Sequence, residues 1–187
     1  MNIAEEAKKY ALEEIEKYGL PDLIHFDISE KKAIELTDKL NADKQIVQIG
    51  IYFIDLKLGQ AFKENKSAEH VIMSVAATKE FLDKHKVPDD TKDKILNCVE
   101  AHHGDVPYKC KEAEICANAD CYRFLHPKGF FVFLYVLAKR DSFANSLDQL
   151  EKKLEEKHKI LSLDIAKQEL EEYYQTLKQY INDARKL

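Results

Sequence analysis

Residues 45–58 read QIVQIGIYFIDLKL, and this sequence is expected to form the centre of the fold. Its apolar side chains point in nearly every direction around a helix, which predicts a helix over about residues 45–58 that is buried on all sides. Asp55 is the acidic residue of this stretch. Burying an ionised carboxylate without a partner costs on the order of several kcal/mol, so we expect a cation, hydrogen-bond donors or a shifted pKa at Asp55.

The composition around this stretch favours an all-α domain. The chain has 187 residues, of which only 5 are Gly and 4 are Pro, while 34% are charged and 45% are hydrophobic. A chain of this length corresponds to one domain, and this mixture excludes collagen, disorder and turn-rich β-sandwiches. We therefore expect a single domain over residues 1–187 that is built from helices.

Charge and hydropathy limit the partners and the location. The net charge of −5 argues against nucleic acid as the leading partner. The longest apolar run, residues 130–138, is shorter than the roughly 20 residues of a membrane span, so no membrane segment is expected. The first residues lack the basic and apolar blocks of a secretory signal, which predicts a cytoplasmic protein with reduced cysteines.

Apolar periodicity predicts helices along most of the chain, separated by Gly and Pro. Ser29 is expected to cap the second helix, and the third is the apolar helix over residues 45–58. The last part of the chain predicts two long amphipathic helices that pack against the body or against a second copy, which allows a homodimer. The remaining predicted helices cover about residues 3–18, 67–85, 88–104 and 111–124, followed by an apolar helix after residue 129.

A second acidic residue falls on an apolar helix face. Ala113, Ala117, Asp120 and Phe124 recur at helical spacing, which places Asp120 on the inward side. Two buried carboxylates repel each other, and a divalent cation between them is one remedy. A pair with Lys57 or with Arg123 is the other.

Histidines are placed to join these acids. His70 shares a helical stripe with Met73, Ala77 and Phe81, and His25 is expected in the loop before the second helix. A hydrogen-bonded core histidine is the alternative interpretation of His70. His102 and His103 close the predicted fifth helix, and imidazole together with carboxylate suits Fe, Mn, Ni, Co or Zn.

Taken in order, His25, Asp55, His70, His102-His103 and Asp120 resemble the HD-domain superfamily of metal-dependent phosphohydrolases, which has an all-helical fold. Residues 51–58 resemble the apolar helix that carries the His-Asp pair, and residues 117–120 (ANAD) resemble the approach to the final aspartate. The resemblance covers about residues 22–124, and residues 129–187 would be supporting helices. One position departs from the motif, because Ile54 stands where the family has histidine.

The resemblance implies a site with one or two metal ions. His25, Asp55 and Asp120 would hold one ion, while His70 with His102, His103 or both would hold a second, and Asp55 would lie between them. Asp55 or Asp120 would orient the attacking water. The candidates for phosphate contact are Lys57, Lys109 and Arg123.

Two functions from different classes stay open at this point. The first is a phosphohydrolase that acts on a small phosphate ester or a nucleotide. The second, which Ile54 favours, is a non-catalytic module that binds a nucleotide or mediates dimerisation. Within the second class, Lys or Arg would simply neutralise the two acids in a helical scaffold.

Overall fold

A computed structural model describes residues 2–186. This range contains ten α-helices and one short 3₁₀ turn, Ser67–Glu69, and it contains no β-strand, so the predicted all-α class is confirmed. Within the same residues, no helix combines the length and the apolar character that a membrane crossing requires. The helices are α1 (Ile3–Tyr18), α2 (Leu23–Leu40), α3 (Lys44–Phe53), α4 (Leu58–Lys63), α5 (His70–Lys84), α6 (Asp89–Glu100), α7 (Lys111–Leu125), α8 (Pro127–Ala138), α9 (Phe143–Ile160) and α10 (Asp164–Ala184).

Helix α3 is buried along most of its length, as its apolar sequence predicts, but it is shorter than expected. The Asp43 side chain caps it by accepting hydrogen bonds from the amides of Gln45 and Ile46. After Phe53 the chain forms a turn, in which the amide of Leu56 donates to the carbonyl of Phe53. Asp55 therefore lies in a turn between two helices, and the prediction of one continuous helix over residues 45–58 was wrong.

Helix α2 begins six residues earlier than the predicted cap at Ser29. Asp22 is the N-cap, and its side chain accepts a hydrogen bond from the amide of Ile24. Ser29 lies inside the helix, where its hydroxyl donates to the carbonyls of His25 and Phe26. His25 is therefore a helical residue that α2 holds in a buried position, and its predicted loop position was wrong.

Helix α7 lies at the centre of the molecule. Residues 115–125 are all buried, and the helix contacts α2, α3, α6, α8, α9 and α10. Helix α8 approaches it closely at Gly129, where an added Cβ would lie 2.2 Å from the carbonyl oxygen of Arg123. Only glycine fits this contact, which fixes α8 beside the polar end of α7.

The C-terminal helices α9 and α10 pack against α7. This is the first of the two predicted arrangements, packing against the body or against a second copy. Asn118 of α7 holds the turn between α9 and α10: its amide donates to Ser162 Oγ, and its oxygen accepts from the amides of Ser162 and Leu163. The inward face of α9 includes Leu147, Leu150 and Leu154. On α10, Tyr174 and Ile181 are buried, whereas their neighbours Tyr173 and Tyr180 are exposed.

Candidate metal centre

A central cavity of about 290 Å³ lies between the ends of several helices. Its walls come from α2, the turn after α3, the start of α5, the turn after α6, and helices α7, α8 and α9. All six predicted metal ligands line the cavity: His25, Asp55, His70, His102, His103 and Asp120.

Three histidines form the core of the site. One ring nitrogen from each of His70, His102 and His103 lies within 4.8 Å of the others. His70 Nδ1 is 2.8 Å from the carbonyl oxygen of Ser67, and His102 Nδ1 is 2.7 Å from that of Val99. A carbonyl can only accept, so both Nδ1 atoms donate and the Nε2 atoms are left to bind something else.

The third ring is oriented by a carboxylate. His103 Nδ1 lies 3.2 Å from Glu156 Oε1, and its Nε2 lies 3.2 Å from His70 Nε2. Burial raises the pKa of Glu156, but hydrogen bonds from His103 and Lys153 lower it to about 2, so Glu156 is ionised at neutral pH. A carboxylate behind a histidine is a common outer partner of metal ligands.

The donor set fits a metal ion. His102 Nε2 is buried and has no hydrogen-bond partner among residues 2–186. Burial, followed by the charge of His103, lowers the pKa of His102 to about 3, which keeps this imidazole neutral and able to ligate. An unpaired buried nitrogen is costly, and a cation beside His102 Nε2 removes that cost.

Asp55 supplies an oxygen on the same side. Its Oδ1 lies 3.5 Å from His70 Nε2 and 3.7 Å from His102 Nε2. Its Oδ2 lies 2.6 Å from a terminal nitrogen of Arg123. Burial raises the pKa of Asp55, but the charge of Arg123 outweighs burial and holds the pKa well below its ordinary value, so Asp55 is a permanent carboxylate.

Asp120 lies beside this cluster but is already neutralised. Its Oδ1 lies 2.7 Å from the same nitrogen of Arg123, and its Oδ2 lies 2.6 Å from Lys157 Nζ. Lys157 and Arg123 hold the pKa of Asp120 well below its ordinary value against the effect of burial. Because both oxygens are in ion pairs, the structure does not place Asp120 among metal ligands or next to an attacking water.

His25 lines the cavity without joining the cluster. Its Nε2 lies 2.8 Å from the carbonyl oxygen of Gly129 and donates to it, and its ring contacts Phe124 and Phe133. Burial and the nearby Arg123 lower its pKa to about 4. The structure thus gives His25 a hydrogen bond between α2 and α8 in place of the predicted coordination.

The structure does not bring two of the three predicted phosphate-binding residues to the cavity. Lys57 Nζ pairs with Glu14 at 2.9 Å, on the side of the turn that faces α1. Lys109 pairs with Glu100 at 3.1 Å near the surface. The third, Arg123, does line the cavity, and its contacts with Asp55 and Asp120 confirm the alternative in which a basic residue meets the buried acids.

The chain shares its fold with solved structures. No protein-family model matches it. A crystal structure of a predicted HD superfamily hydrolase from an uncultured Thermotogales bacterium matches with a TM-score of 0.68 at 13% identity, covering 98% of this chain and 97% of that one. YpgQ of Bacillus subtilis matches with a TM-score of 0.68 at 16% identity, covering 98% and 94%. The chain has the HD-superfamily fold.

A sequence relative adds to this result. Ribonuclease Y of Finegoldia magna is 31% identical over 134 residues, which are 72% of this chain and 22% of that protein. The chain therefore spans about a fifth of the length of this relative. The fold that the resemblance to the HD superfamily implies is confirmed. Ile54, which stands before Asp55 where the family has histidine, is buried and has no ligand atom.

Proposed function

We propose that this protein is a metal-dependent phosphohydrolase that acts on a small phosphate ester or a nucleotide. The observation that carries the proposal is the convergence of three imidazoles and the free oxygen of Asp55 on one side of the cavity. The HD-hydrolase description of a structure with the same fold is consistent with it.

His70, His102, His103 and Asp55 would hold the ion. Three nitrogens and one carboxylate oxygen suit Fe, Mn, Ni, Co or Zn better than Mg or Ca. When bound, such an ion supplies a water molecule of lowered pKa and a Lewis acid for phosphoryl oxygens. Asp55 keeps its negative charge at this position, and Glu156 holds the ring of His103 in place.

The charge of the cavity suits an anionic substrate. Four basic side chains line it, against the three carboxylates of Asp22, Asp55 and Asp120. Arg123 and Lys157 are committed to buried acids, whereas Arg140 stacks on Phe62, with its guanidinium carbon 4.7 Å from the ring centre. Lys153 also lines the cavity but pairs with Glu156 at 2.7 Å, so Arg140 replaces Lys57 and Lys109 as the candidate for phosphate contact.

The size and the remaining lining favour a small substrate. Ligand pockets usually measure about 300–1,000 Å³, and this cavity of about 290 Å³ lies at the lower end. Its apolar wall could cover a base or another flat group and consists of Leu20, Leu58, Phe62, Phe124, Phe133 and Val136. One polar amide, Gln149, reaches the same space.

A phosphodiester in RNA is the second candidate substrate. It is favoured by the similarity to a ribonuclease Y, although the chain spans only 22% of that protein. The net charge of −5 and the small cavity favour the first candidate. The binding of a nucleotide without catalysis is the remaining alternative, and turnover separates it from both.

The test combines metal content with turnover. Protein purified without chelator should contain Fe, Mn, Ni, Co or Zn by elemental analysis, and His70→Ala should lose most of it. His158→Ala is the matched control, because His158 pairs with Glu171 away from the cavity. With the ion present, p-nitrophenyl phosphate or a nucleoside monophosphate should be hydrolysed faster than a short RNA. Equal metal content in His70→Ala, or no turnover with any of these metals, contradicts the proposal.

A further inference from the structure

We infer that the guanidinium group of Arg123 takes the place of a metal ion between Asp55 and Asp120. The inference builds on the proposed function only in one respect, which is that an ion binds at the nearby histidine cluster. It goes further by assigning one ion, and not two, to the centre.

A single nitrogen of Arg123 bridges the acids. It lies 2.6 Å from Asp55 Oδ2 and 2.7 Å from Asp120 Oδ1, and these distances are typical of charge-assisted hydrogen bonds. All three side chains are buried, with 4%, 8% and 1% of Arg123, Asp55 and Asp120 exposed. A divalent ion could enter this position only if the guanidinium left it, because both would occupy the same space between the same two oxygens.

A second cation completes the charge balance. Lys157 Nζ lies 2.6 Å from the other oxygen of Asp120, and the side chain is 1% exposed. Two carboxylates thus meet two cations that belong to the chain itself. Such a network has no charge left for an ion on the Asp120 side, whereas Asp55 Oδ1 still faces His70 and His102.

The other groups around Arg123 are also unsuited to an ion. His25 Nε2 is bonded to the carbonyl oxygen of Gly129. Ile54 has no ligand atom, and together with Asp55 and Arg123 it lines a void of only about 10 Å³, roughly enough for one water molecule. The position is therefore filled by a side chain, and the residue that would be needed as a further ligand is apolar.

The decisive experiment restores the missing ligand with and without the guanidinium. The variants are Ile54→His alone and Ile54→His combined with Arg123→Ala, each loaded with Mn²⁺ or Co²⁺, desalted and analysed for metal per chain. We expect Ile54→His to hold the same number of ions as the wild type. The double variant should gain one ion per chain, and Ile54→His with Arg123→Lys, which keeps the cation, should not.

The outcomes separate this inference from the proposed function. A wild type without any ion, together with a gain of one ion in the double variant, overturns the metal-dependent hydrolase and supports the role of Arg123. One ion in both proteins overturns the role of Arg123 alone, and a gain in Ile54→His by itself does the same. If circular dichroism shows that the double variant is unfolded, the wild type decides: one ion at saturation supports the inference, and two overturn it.

Discussion

His70 Nε2 and His103 Nε2 face each other at 3.2 Å inside the central cavity. The Nδ1 atoms of both rings contact oxygen atoms, those of Ser67 and Glu156. Two nitrogens that bind one ion at about 2.0–2.1 Å lie about 2.9–3.4 Å apart for angles between octahedral and tetrahedral geometry. The spacing of the two rings therefore matches that of ligands on a common ion.

Removing His103 should remove an inner ligand. We expect His103→Ala to weaken metal binding by more than the roughly 10–100-fold that is typical for the loss of an outer partner. Competition with a chromophoric chelator measures the affinity. His85→Ala serves as the control, since His85 contacts Glu6 and Phe81 outside the cavity. Equal affinities of the two variants would remove His103 from the centre.

Glu156 should act through His103. We expect Glu156→Gln to lower metal affinity by about 10–100-fold, because the neutral amide no longer supports the ring with a full negative charge. Glu155→Gln is the matched control one residue away, where the carboxylate pairs with Lys178 on another face of α9. The same competition with a chelator measures the metal affinity of both variants. An unchanged affinity in Glu156→Gln would show that Glu156 does not support the metal ligand His103.

The buried ammonium of Lys157 should stabilise the fold. Breaking a buried ion pair by removing one partner costs about 3–5 kcal/mol, so Lys157→Met should lower the free energy of unfolding by about that amount. Lys159→Met, at an exposed position on the same helix, should change it by less than about 0.5 kcal/mol. Urea unfolding of the metal-free proteins provides the comparison. Equal stabilities would mean that Asp120 is satisfied by Arg123 alone.

His25 should make stability fall at acidic pH. Its pKa is about 4 in the folded protein, against an ordinary value of about 6.5 in the unfolded chain. Between these values the unfolded chain holds a proton that the folded protein lacks, so lowering the pH favours unfolding by up to about 1.4 kcal/mol per pH unit. Below pH 4 both states are protonated and this contribution no longer changes.

The variant His25→Asn isolates that effect. Unfolding of the metal-free wild type should take up about one more proton between pH 6 and 4.5 than unfolding of the variant. The variant is expected to be less stable at every pH, since it disturbs the bond to Gly129, so the slope and not the absolute stability is the result to compare. Parallel stability curves would mean that His25 titrates normally in the folded protein.

Arg140 should contribute to substrate affinity. Removing its charge in Arg140→Gln should raise KM for a phosphate ester by about 10-fold and change kcat little, because Arg140 lines the cavity beside Phe62 and is not one of the proposed metal ligands. Lys139→Gln is the control, as Lys139 is the preceding residue and its ammonium lies over the ring of Tyr135. A fall in kcat with unchanged KM would place Arg140 closer to the reacting group.

The sequence predicted the fold better than the details of the turns. Residues 46–54 carry apolar side chains in nearly every direction, with Gln48 as their one polar side chain, so no change of pattern marks the turn at Asp55. The sequence predicts Ser29 as a cap, although Asp22, seven residues earlier and directly after Pro21, offers the same chemistry. The local sequence pattern therefore located neither the end of α3 nor the start of α2.

Part of the site was predictable and part was missed. His70, His102, His103 and Asp55 lie together along the cavity, whereas His25 bonds to Gly129. Lys57 and Lys109 pair with acids and do not line the cavity. Lys157 was missed although the sequence contained a signal for it. Lys157 follows Leu154 by three residues and so lies on the same apolar face of α9 as Leu150 and Leu154. A lysine on a buried face needs an acidic partner.

Helix α9 has a consequence for anyone who prepares a shorter version of this protein. Residues 22–124 carry the recognisable motif, but Glu156 and Lys157 complete the surroundings of His103 and Asp120 from outside that stretch. A fragment cut after α7 would keep every histidine of the cluster and lose the groups that orient and neutralise it. The smallest fragment worth expressing and assaying therefore extends through Ile160, beyond the point where motif similarity stops.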